Sequence, residues 1–197
     1  MKYSIPIFFI SGIFFLMSCA NLERVDSVIQ DFRDAHIEDT REEVFDVSFR
    51  HEQGQQIVLK GEMEDSALKN NLVNKLEDEG ITVFDSIKIL PLDVSAPWGL
   101  VRLSVANLRA APSFRAEMVT QTVMGTPVRI LKEKEGWAYI QTPDRYLSWC
   151  RQSALSLKTA DELDTWQNIK RIMVTTPFNF IKDTLSEGHV SDVVSGA

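Results

Sequence analysis

The sequence predicts an α+β protein. A small unit of helices and three strands comes first, then a small β-barrel, then a helix and the start of an incomplete second barrel. Two patterns carry this reading. Between residues 21 and 93, helical spacing gives way to two alternating runs, returns, and ends in a third alternating run. Between 98 and 157, short alternating segments are separated by Gly and Pro turn signals, the pattern of a small barrel.

Residues 1–19 stand apart from the fold as a targeting segment. Lys2 supplies a positive start, and Ile5 to Met17 is an apolar run suited to a signal peptide and short for a membrane span. The run ends in Leu16-Met17-Ser18-Cys19. This resembles a lipobox, where a bacterial lipoprotein is cleaved and its cysteine lipidated, so Cys19 is the expected lipidation site. An ordinary secretory signal with an incidental cysteine is the alternative.

From the mature start, Asn21 is the expected cap of a first helix, with Glu23 in its first turn facing the positive end of the dipole. Leu22, Val25, Val28, Ile29 and Phe32 recur at helical spacing. The helix is expected to fray near Ala35 to Arg41. Asp34, His36, Glu38 and Asp39 gather there in a spacing that fits no metal-ligand set, and they read as a solvated helix end. Val44 to Glu52 and Ile57 to Glu64 read as strands joined through Gly54. Ser66 caps a helix carrying Leu68, Leu72, Val73 and Leu76, and Gly80 closes it. Ile81 to Leu90 is a third strand, ended by Pro91. The unit spans about 20–93. Its element order is similar to the BON-type fold of bacterial envelope proteins, and equally to a generic α+β support domain.

Pro91 to Pro97 is a linker, and the barrel is expected over 98–157. Val101, Leu103 and Val105 alternate with Arg102, Ser104 and Ala106. Val128, Ile130 and Leu131 mark another strand, and Trp137, Tyr139 and Gln141 a further one. Pro143-Asp144 is a turn, after which Tyr146 to Cys150 pairs back. Thr159 and Glu162 form a capping box for a helix to about Arg171. Ile172 to Val174 reads as a strand. Val190 to Ala197 reads as the first strand of a second barrel, which suggests a piece of a longer reading frame.

Composition narrows function. A hydrophobic share of 44% and a charged share of 25% fit a globular body. The net charge of −7, without a basic stripe, excludes nucleic acid as the expected partner. It also gives little attraction to anionic lipid, which leaves Cys19 as the membrane attachment. The only other cysteine, Cys150, has no partner for a disulfide if Cys19 carries lipid.

The barrel segment carries Asn107-Leu108-Arg109, Pro112, Glu117, Gln121, Gly125, Gly136-Trp137, Pro143-Asp144-Arg145-Tyr146 and Trp149. This arrangement resembles a bacterial SH3-type (SH3b) domain. More narrowly, it resembles the first SH3b domain of secreted cell-wall peptidases of the NlpC family. Those enzymes cut the γ-D-glutamyl bond to the diamino acid in peptidoglycan stem peptides. Arg109 reads as a structural hydrogen-bonding residue, Trp137 and Trp149 as side chains that fill or cover the barrel core, and Gly136 as the residue that permits a sharp turn. The resemblance implies substrate-binding roles for Glu117 and Tyr146. In the relatives, an acidic residue and a tyrosine from these segments hold the free amino group of the stem peptide. A carboxylate suits an ammonium, and a phenol adds a polar contact and an apolar wall. Relatives usually have glycine just before this tyrosine and just before the tryptophan, where this chain has Arg145 and Ser148.

A thiol peptidase needs a cysteine activated by a histidine. Cys150 follows Trp149 in an expected strand, and His36, His51 and His189 fall in three separate segments. No catalytic residue, cofactor or metal is expected. The reading is therefore a non-catalytic, SH3b-containing region of a cell-envelope lipoprotein. It resembles the substrate-selecting front part of a stem-peptide endopeptidase whose catalytic domain would follow. The alternative is a stand-alone SH3b lipoprotein that binds peptidoglycan or another protein. The anchor has a direct check: Cys19→Ser is expected to move the protein from the membrane to the soluble fraction, and continued membrane binding would remove the lipid-anchor reading.

Overall fold

A computed structural model describes residues 11–52 and 56–197, with backbone alone for 11–21. The start of the targeting segment, the Cys19 side chain and the Gly54 turn lie outside the described residues. The chain forms two compact units, one of residues 1–38 and 45–88, the other of 39–44 and 89–197.

In the first unit, helix α1 runs unbroken over Ser11–His36. Asn21 and Glu23 are therefore inside a helix and not at its start, which corrects the expected cap. An apolar stretch that already favours helix continues through them, so no orphan N–H groups remain there to be capped. Strands β1 (Phe45–Glu52) and β2 (Gln56–Met63) pair antiparallel, with Phe45 opposite Met63. Helix α2 (Ser66–Asp78) follows, and β3 (Val83–Ile89) completes a sheet in the order β1-β2-β3. The cap of α2 is Asp65, one residue before the expected Ser66. Its carboxylate accepts from the backbone N–H groups of Ala67 (2.7 Å) and Leu68 (3.2 Å). Val25, Leu59, Met63, Leu72 and Leu76 are fully buried and come from α1, β2 and α2. Lys69 donates to Asp85 at 2.5 Å and ties α2 to β3. At the end of α1, His36 Nδ1 donates to the Phe32 carbonyl at 2.8 Å.

The second unit is built on seven strands. They are β4 (Trp98–Val101), β5 (Val105–Arg109), β6 (Met118–Val123), β7 (Pro127–Lys134), β8 (Trp137–Gln141), β9 (Leu147–Arg151) and β10 (Leu155–Lys158). Their order is β10-β4-β7-β8-β9-β5-β6. The expected single run through 101–106 is broken at 102–104, so Leu103 leaves the core and is largely exposed. The sheet curls around Val101, Ala106, Leu108, Val128, Ile130, Ala138, Ile140, Cys150, Ala154 and Leu155. Strand alternation sends the adjacent Ile130 and Leu131 to opposite sides of β7, where both are fully buried, and a β-bulge lies between Ile130 and Lys132. Ile130 enters the barrel core. Leu131 joins a second core outside it, with Val44, Leu90 and Leu147.

Helix α3 (Ala160–Asn168) opens with the capping box. Thr159 N–H donates to Glu162 at 2.8 Å, and Glu162 N–H donates to the Thr159 hydroxyl at 3.2 Å. Residues 172–174 are not a strand. The last two strands, β11 (Phe178–Lys182) and β12 (His189–Val194), pair with each other. The final segment thus pairs within a local hairpin. The α+β class, with an SH3-like barrel as its largest part, stands.

One backbone position tests the first unit. Gly61 in β2 has φ +129°, and a Cβ there would overlap the Asp46 carbonyl oxygen in β1. Gly61→Ala is expected to lower the unfolding free energy by at least about 2 kcal/mol in a urea titration. An unchanged midpoint would contradict this register.

Candidate functional site

One rim of the barrel collects the expected binding residues. Arg109, at the end of β5, lies opposite Met118 of β6 on one side and Trp149 of β9 on the other. Glu117 directly precedes β6, and Tyr146 directly precedes β9. Both therefore sit at the end of the sheet where β5 stops and its two neighbours begin. Cys19 belongs to α1, in the first unit.

Two turns hold the rim in shape. In residues 110–117, Ala110 N–H donates to the Glu117 carbonyl at 3.0 Å, and the Arg109 guanidinium donates to the Ala116 carbonyl at 2.7 Å. Arg109 thus does structural work. It satisfies a loop carbonyl beside Glu117, whose carboxylate is exposed. In residues 142–146, Thr142 donates through its hydroxyl to Asp144 (2.5 Å) and through its N–H to the Tyr146 carbonyl (3.1 Å). Arg145 has φ +69°, a conformation that favours glycine. This explains physically why glycine suits the position before the tyrosine. Ser148 points to the barrel side. It is almost fully buried, and its hydroxyl has no protein partner.

Sequence reasoning missed the segment that braces Tyr146. Residues 39–44 run beside the β8–β9 turn. Leu147 N–H donates to the Arg41 carbonyl (2.7 Å), and the Gln141 amide donates to the Glu42 carbonyl (2.8 Å). The Arg145 guanidinium donates to the Glu43 carboxylate (2.9 Å) and lies 3.6 Å from that of Glu42. Arg41 is locked on Asp39 at 2.6 Å, which holds the Asp39 carboxyl down at about 2. Arg41 is raised in turn, first by Asp39 and to a smaller degree by the nearby Tyr146 and Glu42. Asp39 thus pairs with a guanidinium, while His36 meets the Phe32 carbonyl. The carboxylates of Asp39, Glu42 and Glu43 are thus each paired with Arg41 or Arg145. Approximate matching of residues 39–44 to a barrel some hundred positions away leaves no local sequence signal, apart from buried Val44.

The two tryptophans are buried outside the barrel core. Trp149 packs on Tyr139, with ring centroids 5.1 Å apart, and Trp137 packs edge-on against Phe114 at 5.2 Å. They cover the outer face of β8 and β9 and do not fill the interior. Gly136 has φ +76° and follows Glu135 at φ +49°, which makes the tight turn between β7 and β8.

Residues 108–155 match the family described as the bacterial dipeptidyl-peptidase SH3 domain. The barrel is an SH3b domain. The chain is also 38% identical over 55 residues to Dipeptidyl-peptidase 6 of Lysinibacillus sphaericus. That match covers 27% of the chain and 20% of the relative, so the chain spans about a fifth of its length. Among solved structures, an NlpC/P60 endopeptidase from Photobacterium damselae subsp. piscicida overlays 86% of this chain on 36% of its own. The TM-score is 0.44 and the sequence identity 10%. The SH3b domain includes both Glu117 and Tyr146.

Cys150 is fully buried in the SH3b core, and burial pushes its thiol up to about 11. It is a small apolar core residue with no poised thiolate. The fold holds its proton more tightly than the unfolded chain does, whose thiol has the ordinary value near 9. The associated stability is present below pH 9 and lost as pH rises to 11, by about 3 kcal/mol. Denaturant titrations across this range should show that loss in the protein and not in Cys150→Ala; parallel pH profiles would contradict it.

Proposed function

We propose that this chain is the non-catalytic, substrate-selecting region of an exported, membrane-anchored endopeptidase acting on peptidoglycan stem peptides. On this reading Glu117 and Tyr146 of the SH3b domain receive the free amino group of the stem peptide. The observation that carries the proposal is the match of residues 108–155 to a peptidase-associated SH3 domain, with both residues on one rim.

The chemistry supports an ammonium ligand. The Glu117 carboxylate is exposed at a loop end that Arg109 fixes, so it can accept from the incoming group without rearranging. The half-buried Tyr146, on the same rim, offers a wall and a hydroxyl. An acylated amine loses its charge and leaves Glu117 without a partner, so the site discriminates by charge. Attachment through Cys19 would hold the domain at the membrane, and a peptidase domain of the same protein would supply the thiol and histidine.

Titration of the chain with L-Ala-γ-D-Glu-diamino-acid peptide, free or N-acetylated, tests the reading. The free peptide is expected to bind at least about tenfold tighter, as one charge-assisted hydrogen bond implies. Glu117→Gln is expected to erase most of that difference. Equal affinities for the two peptides would remove amine recognition and favour a stand-alone wall- or protein-binding module.

A further inference from the structure

The loop that ends at Glu117 is held at two places, its base and its tip. At the base, Ala110 N–H donates to the Glu117 carbonyl (3.0 Å) and the Arg109 guanidinium to the Ala116 carbonyl (2.7 Å). The tip is Ser113-Phe114-Arg115, and all three residues are exposed. The Ser113 hydroxyl accepts from Arg115 N–H at 3.2 Å, which shapes the tip without attaching it to the barrel. The attachment is the Phe114 ring. It meets Trp137 of β8 edge-on, with ring centroids 5.2 Å apart and planes at 62°. The Arg151 guanidinium, at the end of β9, lies over both rings, 5.4 Å from Phe114 and 5.1 Å from Trp137.

The barrel side of this contact is firmly built. Trp137 is 4% exposed and stands opposite Arg151 across the β8–β9 pair. A Cβ added at Gly136 would stand 3.3 Å from Arg151 Nη1, so the bare turn leaves room for the guanidinium. Gln152 N–H donates to the Gly136 carbonyl at 3.0 Å and closes the end of β9 on that turn. Phe114, by contrast, is 70% exposed. It buries little apolar surface, so the global fold depends little on it. Its ring nevertheless joins the loop tip to the sheet, three residues before Glu117. Hydrogen bonds at the base of an exposed loop open locally at small cost unless a packed contact farther along keeps the loop down.

We propose that Phe114, Trp137 and Arg151 form a clamp that positions the Glu117 carboxylate for the ammonium of its ligand. The three are positioning residues and act through the loop. With the tip pinned, the two base bonds persist and the carboxylate waits in one place, which lowers the ordering cost of binding. With the tip free, the base opens and the carboxylate has no fixed direction. This role rests on the reading of Glu117 as the receiver of a free amine.

Backbone hydrogen exchange and peptide titration on the full chain test the clamp together. Phe114→Ala is expected to speed exchange of the Ala110 amide at least about tenfold, as loss of a ring pair and a cation–π contact implies, and to leave the β8 amides unchanged. The same variant should cut the preference for free over N-acetylated L-Ala-γ-D-Glu-diamino-acid peptide from about tenfold to about twofold. Phe114→Tyr, which keeps the ring, should restore both readouts, and Phe114→Leu, which keeps bulk without a ring, should restore neither. Unchanged exchange at Ala110, equal acceleration in β8, full rescue by leucine, or an unchanged peptide preference would overturn the clamp. The two readings fail separately. Equal affinities of the unmodified chain for the two peptides would remove amine recognition itself, whereas discrimination that survives Phe114→Ala would remove the clamp alone.

Discussion

The use of both faces of β7 is the constraint on which the SH3b unit depends. A regular strand sends neighbouring side chains to opposite faces, so only one face can serve a barrel interior. In β7 the adjacent Ile130 and Leu131 are both buried, so large apolar residues are committed to both sides. Ile130 closes the barrel core, and Leu131 seeds the outer one with Val44, Leu90 and Leu147. The outer core is what holds residues 39–44 beside the β8–β9 turn. Without it, the carboxylates around Tyr146 would have no fixed place.

The rim and the outer face are two products of the same strand arrangement. β9 alternates Leu147, Trp149 and Arg151 outward while Ser148 and Cys150 face in. Its outer residues thus run from the braced turn to the Arg151 stack. The loop 110–117 serves both ends. Its last residue is Glu117 on the rim, and its tip places Phe114 on Trp137. Arg109 fixes the base of this loop by a bond to a backbone carbonyl, so the base does not depend on a second side chain whose rotamer would cost entropy. The departures at Arg145 and Ser148 are absorbed differently. Arg145 accepts a left-handed backbone and gains two carboxylate neighbours, each exposed and of small energetic value. Ser148 keeps a short side chain inside the barrel at the cost of an unpartnered hydroxyl.

Local chemistry made much of this legible in the sequence. The capping box at Thr159 and Glu162, the Gly136 turn and the alternation of Trp137, Tyr139 and Gln141 are short-range signals, and each element formed where its signal stood. The misplaced features have physical causes as well. Asn21 looks like a cap only if the helix begins there, and the apolar residues before it are themselves helical. Ser66 and Asp65 are both good caps, and the carboxylate took the position by binding two N–H groups. Of residues 172–174 only Val174 pairs, exchanging backbone hydrogen bonds with Gly196 and Ala197, too little for a strand, whereas 178–182 and 189–194 pair along their length.

By itself, the sequence determined the α+β class, most of the element types and the SH3-like barrel expected over 98–157, because periodicity, turn chemistry and side-chain polarity act over a few residues. Only the tertiary structure decided that Glu117 and Tyr146 share one rim, that residues 39–44 brace it, and that Arg151 lies over both Phe114 and Trp137. Those facts depend on strand order and on which residues of each strand face the two cores. Both are set by how distant apolar surfaces fill space together, which no short window of sequence contains.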